Sequence, residues 1–582
     1  MMRKRVSFFI IGLMSLMVAS CGFESKAPTL TATAVLLPTL EPATTAPDIT
    51  LTAVPPTSAP SPEPLATITP APLPPDLAIN PDEVILYPAP QLYAGDKVTF
   101  QLRPFVPDNV SPENVTVTIL VDGKQVGSGV LNERNLSGES FGLIKWAWDT
   151  TGLAGERQIQ VILDKNDIIQ IGDENPDNNQ ISFPVTVQDH DLLPELEANA
   201  AWVTADTACC HIHVVSGTAA YRDLPQLIAA SETAVQQAAA QLDEEPQAPI
   251  EIYFIDRIIG QGGYAGSELV VSYLDRDYAG IALEQVLVHE IVHIIDRQIA
   301  PQRISFLAEG TAVWAGGGHY KPEDLAQRAA ALRQLEMYVP LAELANDFYP
   351  VQHEIGYLEA AAFVNYLIDR QGWSRYRDFY NAVTLDDAET PAMALDLNLQ
   401  IYYNKTLADI EAEWAAYLDE LGWDSAAVAD LQTTLRHYDA MRHYQRLYDP
   451  TAHFLYAWLP YPQEVRSAGN PADLSRHPQS ETNLTLELML QASSEALHAG
   501  KYNRANVLLD SVNRVLDSGG LFQDPLALSY KKIVQVTAVN GYQPQRINLS
   551  GNQAIVWATN SKSTTLIQLN LVLNKREWIV AD

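Results

Sequence analysis

His289 and His293 stand four residues apart, and Glu290 follows the first of them directly. They lie in residues 281–297, IALEQVLVHEIVHIIDR, where almost every other position is apolar. Such a run reads as a helix buried on most of its surface. Burying imidazole and carboxylate groups costs several kcal/mol unless they are paired or bound to a metal. At i and i+4 the two imidazoles share one helix face, and Glu290 lies about 100° round the axis, placed to meet a water rather than the metal. Two imidazoles make half of a zinc site, and a catalytic zinc takes three protein ligands with one position left open. Residues 306–314, FLAEGTAVW, form a second apolar helical stretch with one carboxylate inside it, Glu309. Glu309 is therefore the natural third ligand. The chemistry is hydrolysis: one Zn²⁺ per chain lowers the pKa of water from 15.7 toward about 7, and Glu290 takes the proton as general base.

The sequence His289-Glu290-Ile291-Val292-His293, followed by Leu307-Ala308-Glu309-Gly310-Thr311-Ala312, resembles the gluzincin zinc metallopeptidases, and most nearly their peptidase MA-like group. There a Leu-x-Glu-Gly-x-Ala segment follows the two-histidine motif. The spacing is shorter than in thermolysin-type families. Val313 stands where those families carry an Asp, so either another group orients Glu309 or the metal is held more weakly. The resemblance implies a thermolysin-like α+β domain that cleaves peptide bonds in a peptide or protein substrate. It also implies an oxyanion donor beyond the third ligand. Tyr357 is the first candidate, with packing as its other reading, and His353 and His319 come next. Finally, it implies an edge strand beside the zinc helix that pairs with extended substrate. That role is assigned to residues 269–273, with Leu269, Val270 and Val271 as substrate-binding residues.

Other elements must position these groups. Residues 210–215, 250–255 and 268–273 read as strands, residues 223–242 as an Ala/Gln-rich helix, and residues 260–266 as a glycine-rich loop. Residues 357–367 read as a further helix, and residues 189–423 form the metallopeptidase domain. Upstream, short alternating runs at 97–102, 115–121, 143–148, 158–163 and 181–187 are separated by turn signals such as Asp122-Gly123. This spacing predicts a β-sandwich over 80–188. The stretch Asp173-Glu174-Asn175-Pro176-Asp177-Asn178-Asn179 resembles the end of adhesion-related immunoglobulin-like domains of bacterial surface proteins. This acidic turn has two readings, a Ca²⁺ site or solvated turn residues. Cys209 and Cys210 are adjacent, either as a vicinal disulfide or as two thiols. His211 and His213 share a strand face and read as half-exposed.

The chain has 582 residues and a net charge of −34, which excludes a nucleic-acid partner because no basic face is available. Residues 1–20 carry Arg3, Lys4 and Arg5 before an apolar run, as in a secretory signal. The run ends Val18-Ala19-Ser20-Cys21, which resembles the bacterial lipobox and implies lipid on Cys21 and a membrane anchor. Residues 21–79 hold 13 of the 37 Pro and read as a disordered, extended linker. The expected location is therefore extracytoplasmic. Residues 424–582 read as a small α+β domain. It comprises a helix at 426–448, a Pro/Ser-rich loop at 460–480, and a helical hairpin at 484–516 that resembles one tetratricopeptide unit. Strands follow at 531–539, 553–559, 564–572 and 577–580, and the ensemble resembles nuclear transport factor 2-like folds. The whole is a multidomain protein: an Ig-like β-sandwich, a metallopeptidase domain and a C-terminal α+β domain. Two competing readings are a weak or inactive surface binding protein on a peptidase scaffold and a structural cell-wall or adhesion protein.

Overall fold

The structure, a computed structural model, describes residues 76–581 apart from 135–138, 257–261, 320, 387, 454–457 and 459. The signal segment, Cys21 and nearly all of the linker lie outside the described residues. Among the described residues no helix is long and apolar enough to cross a membrane.

The first module is built from nine strands: β1 (Val84–Tyr87), β2 (Leu92–Tyr93), β3 (Lys97–Leu102), β4 (Thr116–Val121), β5 (Lys124–Val130), β6 (Glu133–Arg134), β7 (Ser140–Asp149), β8 (Gly155–Leu163) and β9 (Gln180–Gln188). They form two sheets, β1-β3-β7-β6 and β2-β9-β8-β4-β5. Alternate residues fill the space between them, Val98, Phe100 and Leu102 from one sheet facing Val117, Ile119 and Val161 from the other. The β4–β5 hairpin turns at Asp122-Gly123, where both residues have positive φ, as a two-residue turn of this twist requires.

The second module is a five-stranded sheet of order β10-β11-β12-β14-β13. Its strands are β10 (Trp202–Asp206), β11 (Cys210–Val215), β12 (Ile250–Ile255), β13 (Gly263–Ala265) and β14 (Leu269–Ser272). Strands β11, β12 and β14 run parallel, while β10 and β13 are antiparallel at the two edges. Helix α1 (Leu224–Leu242) connects β11 to β12. Helices α2 (Leu283–Ile299), α3 (Ser305–Gly316), α4 (His353–Gln371) and α5 (Trp373–Ala382) share one apolar core with the sheet. Helices α3 and α4 pack closely because residue 310 is glycine: a Cβ there would meet the Ala360 carbonyl oxygen at 2.8 Å. Helix α3 stops at Gly317, whose φ of 71° is the left-handed conformation that ends helices.

Helices α6 (Ser425–Tyr448), α7 (Glu481–His498), α8 (Tyr502–Asp517) and α9 (Pro525–Val539) follow, then a meander of β15 (Gln543–Ser550), β16 (Gln553–Asn560), β17 (Ser563–Asn574) and β18 (Glu577–Val580). Residues 531–539, expected as a strand, belong to α9. Their β-branched residues suggested extension, but the buried set Ala527, Tyr530, Ile533, Val534 and Thr537 has helical spacing. Asp524 caps the helix through the Leu526 and Ala527 amides, with Pro525 at its first position. Buried Arg276 joins this part to the five-stranded sheet, bonding Glu487 and Gln545 at 2.7 Å each.

Between α6 and α7 a strap spanning residues 458–476 crosses to the sandwich. Trp458 stacks on Trp146, and Arg476 bonds Asp96 at 2.7 and 3.1 Å. The strap closes an apolar cluster shared by Ile85 and Tyr87 of the sandwich and Tyr253, Tyr264 and Val270 of the five-stranded sheet.

Candidate functional site

Helix α2 brings His289, Glu290 and His293 to one end of the core, where they are 5, 2 and 1 % exposed. The buried Leu287, Ile291, Val292 and Ile295 fix its rotation. Helix α3 delivers Glu309 opposite. The Nε2 atoms of His289 and His293 are 3.1 Å apart, and Glu309 Oε2 lies 3.2 and 3.1 Å from them. Three ligand atoms thus form a nearly equilateral triangle. Ligands at about 2.0–2.2 Å from a tetrahedral zinc are separated by about 3.3–3.5 Å, so the triangle and its donor set fit that ion closely.

Without a metal, the two imidazoles are set to opposite protonation states. Burial pushes His289 down to about 4, which keeps it in the neutral state a ligand needs. Burial opposes charge on His293 and Glu309 too, yet each stabilises the other's ion. The ring is raised to about 9 and the carboxylate is held well below its ordinary value. Burial raises Glu290 to about 8.

Two residues that spacing did not single out lie against Glu309 and His293. Tyr349 donates to Glu309 Oε1 at 3.2 Å, supplying the support that Val313 cannot. Asp296, fully buried on α2, lies 3.9 Å from His293 Nδ1, accepts from Tyr380 at 2.8 Å and forms an ion pair with Arg303 at 3.0 Å. Burial works against its charge, but Arg303 and His293 keep it below the ordinary carboxylate value. The signal was present: Asp296 is three residues after His293, on the same helix face, inside an apolar run.

The substrate-strand assignment needs correction. Leu269, Val270 and Val271 lie in β14, which is paired on both sides, with β12 and with β13. The edge is β13. Ser272 N donates to Gly262 O, and Gly266 N to Glu268 O. By antiparallel alternation Gly263 and Ala265 therefore turn their amides and carbonyls outward. Arg297 of α2 holds the Ala265 carbonyl at 2.6 Å and also bonds Gly266 O. Gly263 lies against the expected base, since a Cβ there would stand 2.7 Å from Glu290 Oε1. The sequence hid this strand because three residues show no period and sit in a glycine-rich stretch.

The three oxyanion candidates form one buried group beside His289. The ring of His319 is 6.0 Å from that of His289, and Tyr357 is 6.2 Å from it. Tyr357 stacks on His319 at 4.8 Å and lies tilted against His353 at 3.9 Å, and the two imidazoles are 4.7 Å apart. His319 Nδ1 pairs with buried Glu354 at 2.5 Å. Burial opposes its charge, but Glu354 raises it above the ordinary imidazole value.

Cys209 and Cys210 are joined as a vicinal disulfide at the start of β11. His211 is partly exposed and bonds Asp206 at 2.7 Å. His213 departs from its expected half-exposure: it is 2 % exposed and bonds Thr204 at 2.8 Å and Glu251 at 2.5 Å, because its strand face is covered by Tyr253. With both nitrogens engaged, it is a satisfied structural histidine.

No protein-family model matches this chain, and no curated protein matches it. Among solved structures, a CARDB domain of a Pyrococcus furiosus protein, in complex with di-metal ions, is 17% identical over 20% of this chain and 90% of its own, with a TM-score of 0.15. Yeast LTA4 hydrolase in complex with Bestatin is 12% identical over 79% of this chain and 94% of its own, with a TM-score of 0.28. An aminopeptidase N family protein from Idiomarina loihiensis is 10% identical over 59% of this chain and 71% of its own, with a TM-score of 0.22. TM-scores this low establish no shared fold, and the chemistry rests on the site's own geometry.

Proposed function

We propose that this chain is a zinc-dependent peptidase, held at an extracytoplasmic surface by lipid on Cys21. The observation that carries the reading is the triangle of His289 Nε2, His293 Nε2 and Glu309 Oε2, with Glu290 and the edge strand β13 beside it. Bound zinc would supply Lewis acidity toward water and the scissile carbonyl. Every other step belongs to the chain. The outward amide and carbonyl of Gly263 pair with an extended peptide backbone, which gives little side-chain selectivity. Glu290 accepts the proton of the attacking water and passes it to the leaving amine. Its raised proton affinity suits both halves of that transfer. His319, oriented by Glu354, donates to the developing oxyanion, with Tyr357 against its ring. Tyr349 and Asp296 are positioning residues that fix Glu309 and His293.

The test is elemental analysis together with cleavage of an unfolded protein or peptide library. One Zn per chain, cleavage abolished by a chelator, and cleavage lost in Glu290→Ala with zinc retained are the expected results. Cleavage unchanged in Glu290→Ala would show the mechanism to be wrong. Protein that binds zinc but cleaves nothing would favour a surface binding role for the same scaffold.

A further inference from the structure

Far from the zinc triangle, the sandwich brings Asp164, Asp167 and Asp173 together in the connection between β8 and β9. One carboxylate oxygen from each lies within 4.8 Å of the others. The coordination sphere of Ca²⁺, with oxygens at 2.3–2.6 Å, is about 4.6–5.2 Å across, so the three oxygens fit on one ion. Asp164 and Asp173 are only 5 and 7 % exposed. No Lys or Arg among the described residues pairs with any of the three acids.

Clustered acids alone would not make a site. The second observation is which atoms are left unsatisfied. Asp164 Oδ2 accepts from the Ile169 amide at 2.7 Å, and Asp173 Oδ2 accepts from Asn179 Nδ2 at 2.7 Å. Oδ1 of each is buried with no partner. Asn179, 4 % exposed, has spent its donor on Asp173, and its own Oδ1 is also without a partner. Asn178 repeats the pattern: its Nδ2 donates to Asp76 at 3.0 Å and its Oδ1 is unpartnered. Every unsatisfied side-chain atom in this corner is an oxygen acceptor. Such a set lacks a hard cation, not another hydrogen bond. Without nitrogen or sulfur donors it does not suit zinc, and its irregular, loop-borne oxygens suit Ca²⁺ better than the strict octahedron of Mg²⁺.

We propose that this corner of the sandwich binds one Ca²⁺ through Asp164, Asp167 and Asp173, with the Asn179 carboxamide beside them. The like charges agree with this, since burial first, and then Asp76, Asp164 and Asp167, raise the Asp173 carboxyl above its ordinary value when no cation is present. The ion would pin the connection that holds Asp76, whose Oδ1 accepts from the Glu174 and Asn175 amides. Asp76 falls within residues 21–79, read from the sequence as the linker, so the site stabilises the chain where it meets the sandwich.

The experiment is calorimetric titration of the full chain, passed over a chelating resin, with Ca²⁺ and separately with Mg²⁺. One Ca²⁺ per chain is expected, at an affinity of about 10⁻⁴–10⁻³ M or tighter, as for extracellular modules. Asp173→Asn abolishes it. Asp167→Asn, at an exposed position the fold tolerates, weakens it tenfold or more, and circular dichroism confirms that each variant is folded. The proposal is overturned by wild-type protein that binds no Ca²⁺ up to about ten times the weaker affinity, by preference for Mg²⁺, or by binding unchanged in Asp167→Asn.

Discussion

Gly263→Ala is the sharpest test of how the edge strand and the base cooperate. Residue 263 has ordinary extended backbone, so alanine costs nothing in conformation and acts only through its methyl group. That methyl would stand 2.5 Å from Val286 Cγ2 and 2.7 Å from both Cγ and Oε1 of Glu290. Ordinary contacts begin at 3.4 Å, so β13 or Glu290 must move by about 0.7–0.9 Å. A misplacement of about 1 Å at a reacting centre costs on the order of 10²-fold in rate, and overpacking costs roughly 1–3 kcal/mol of stability. The expected variant is folded, slightly less stable and about 30–100-fold slower in kcat. It keeps its zinc, because the three atoms nearest the new methyl belong to Val286 and Glu290 and to none of His289, His293 and Glu309. A quenched fluorescent peptide gives kcat and KM, and elemental analysis gives zinc. Wild-type kcat in a folded, zinc-loaded variant would refute the placement of Glu290 against β13 as the arrangement that does the chemistry.

Three further outcomes are expected. Tyr349→Phe removes the donor to Glu309 Oε1 and should lower zinc affinity by about 10–100-fold in competition with a chelator. His319→Ala should reduce kcat by about 10²–10³-fold at unchanged zinc content, whereas loss of zinc would mean that His319 acts as a ligand instead of a donor. Asp473, buried between strap and sandwich, is raised by burial to about 7, with the Trp146 indole and the Asn470 amide opposing the shift. A carboxyl raised in the folded state contributes stability that is present below its ordinary value of 3.8 and lost as pH rises through about 7. The melting temperature should therefore fall between pH 4 and pH 8 by an amount worth a few kcal/mol. Asp473→Asn, which mimics the neutral acid, should flatten that fall, and an identical pH profile in the variant would exclude Asp473 as its source.

What could be read in advance was whatever leaves a period or a fixed spacing. His289, Glu290, His293 and Glu309 sit in two apolar helices, where a charged residue stands out, and the structure brings them together. The sandwich announced itself through alternating strands and an Asp-Gly turn. Three features left no such trace. β13 is three residues long, and its meaning comes from its neighbours. Tyr349 supports Glu309 from 40 residues away, on a loop, and nothing in its own surroundings marks it. Residues 460–480 read as a Pro/Ser-rich loop, because the ordering of the strap comes from tertiary partners: Asp96, Glu197 and Trp146 all lie more than 270 residues upstream. Residues 531–539 show the opposite failure, since β-branched composition outweighed an Asp-Pro start signal that was present in plain view.

The strap also sets an order of assembly. A chain made from its N-terminus completes the sandwich, the five-stranded sheet and all three proposed zinc ligands by residue 309. At that stage Tyr264 of β13 still lacks Trp458, Val465 and Leu474, the residues that later cover it. Arg276 likewise waits for Glu487 to balance its charge in the interior. A nascent chain could therefore hold metal long before the strand that faces substrate is braced. Competence to cut would arrive only with the last fifth of the polypeptide, a built-in delay between acquiring the ion and using it.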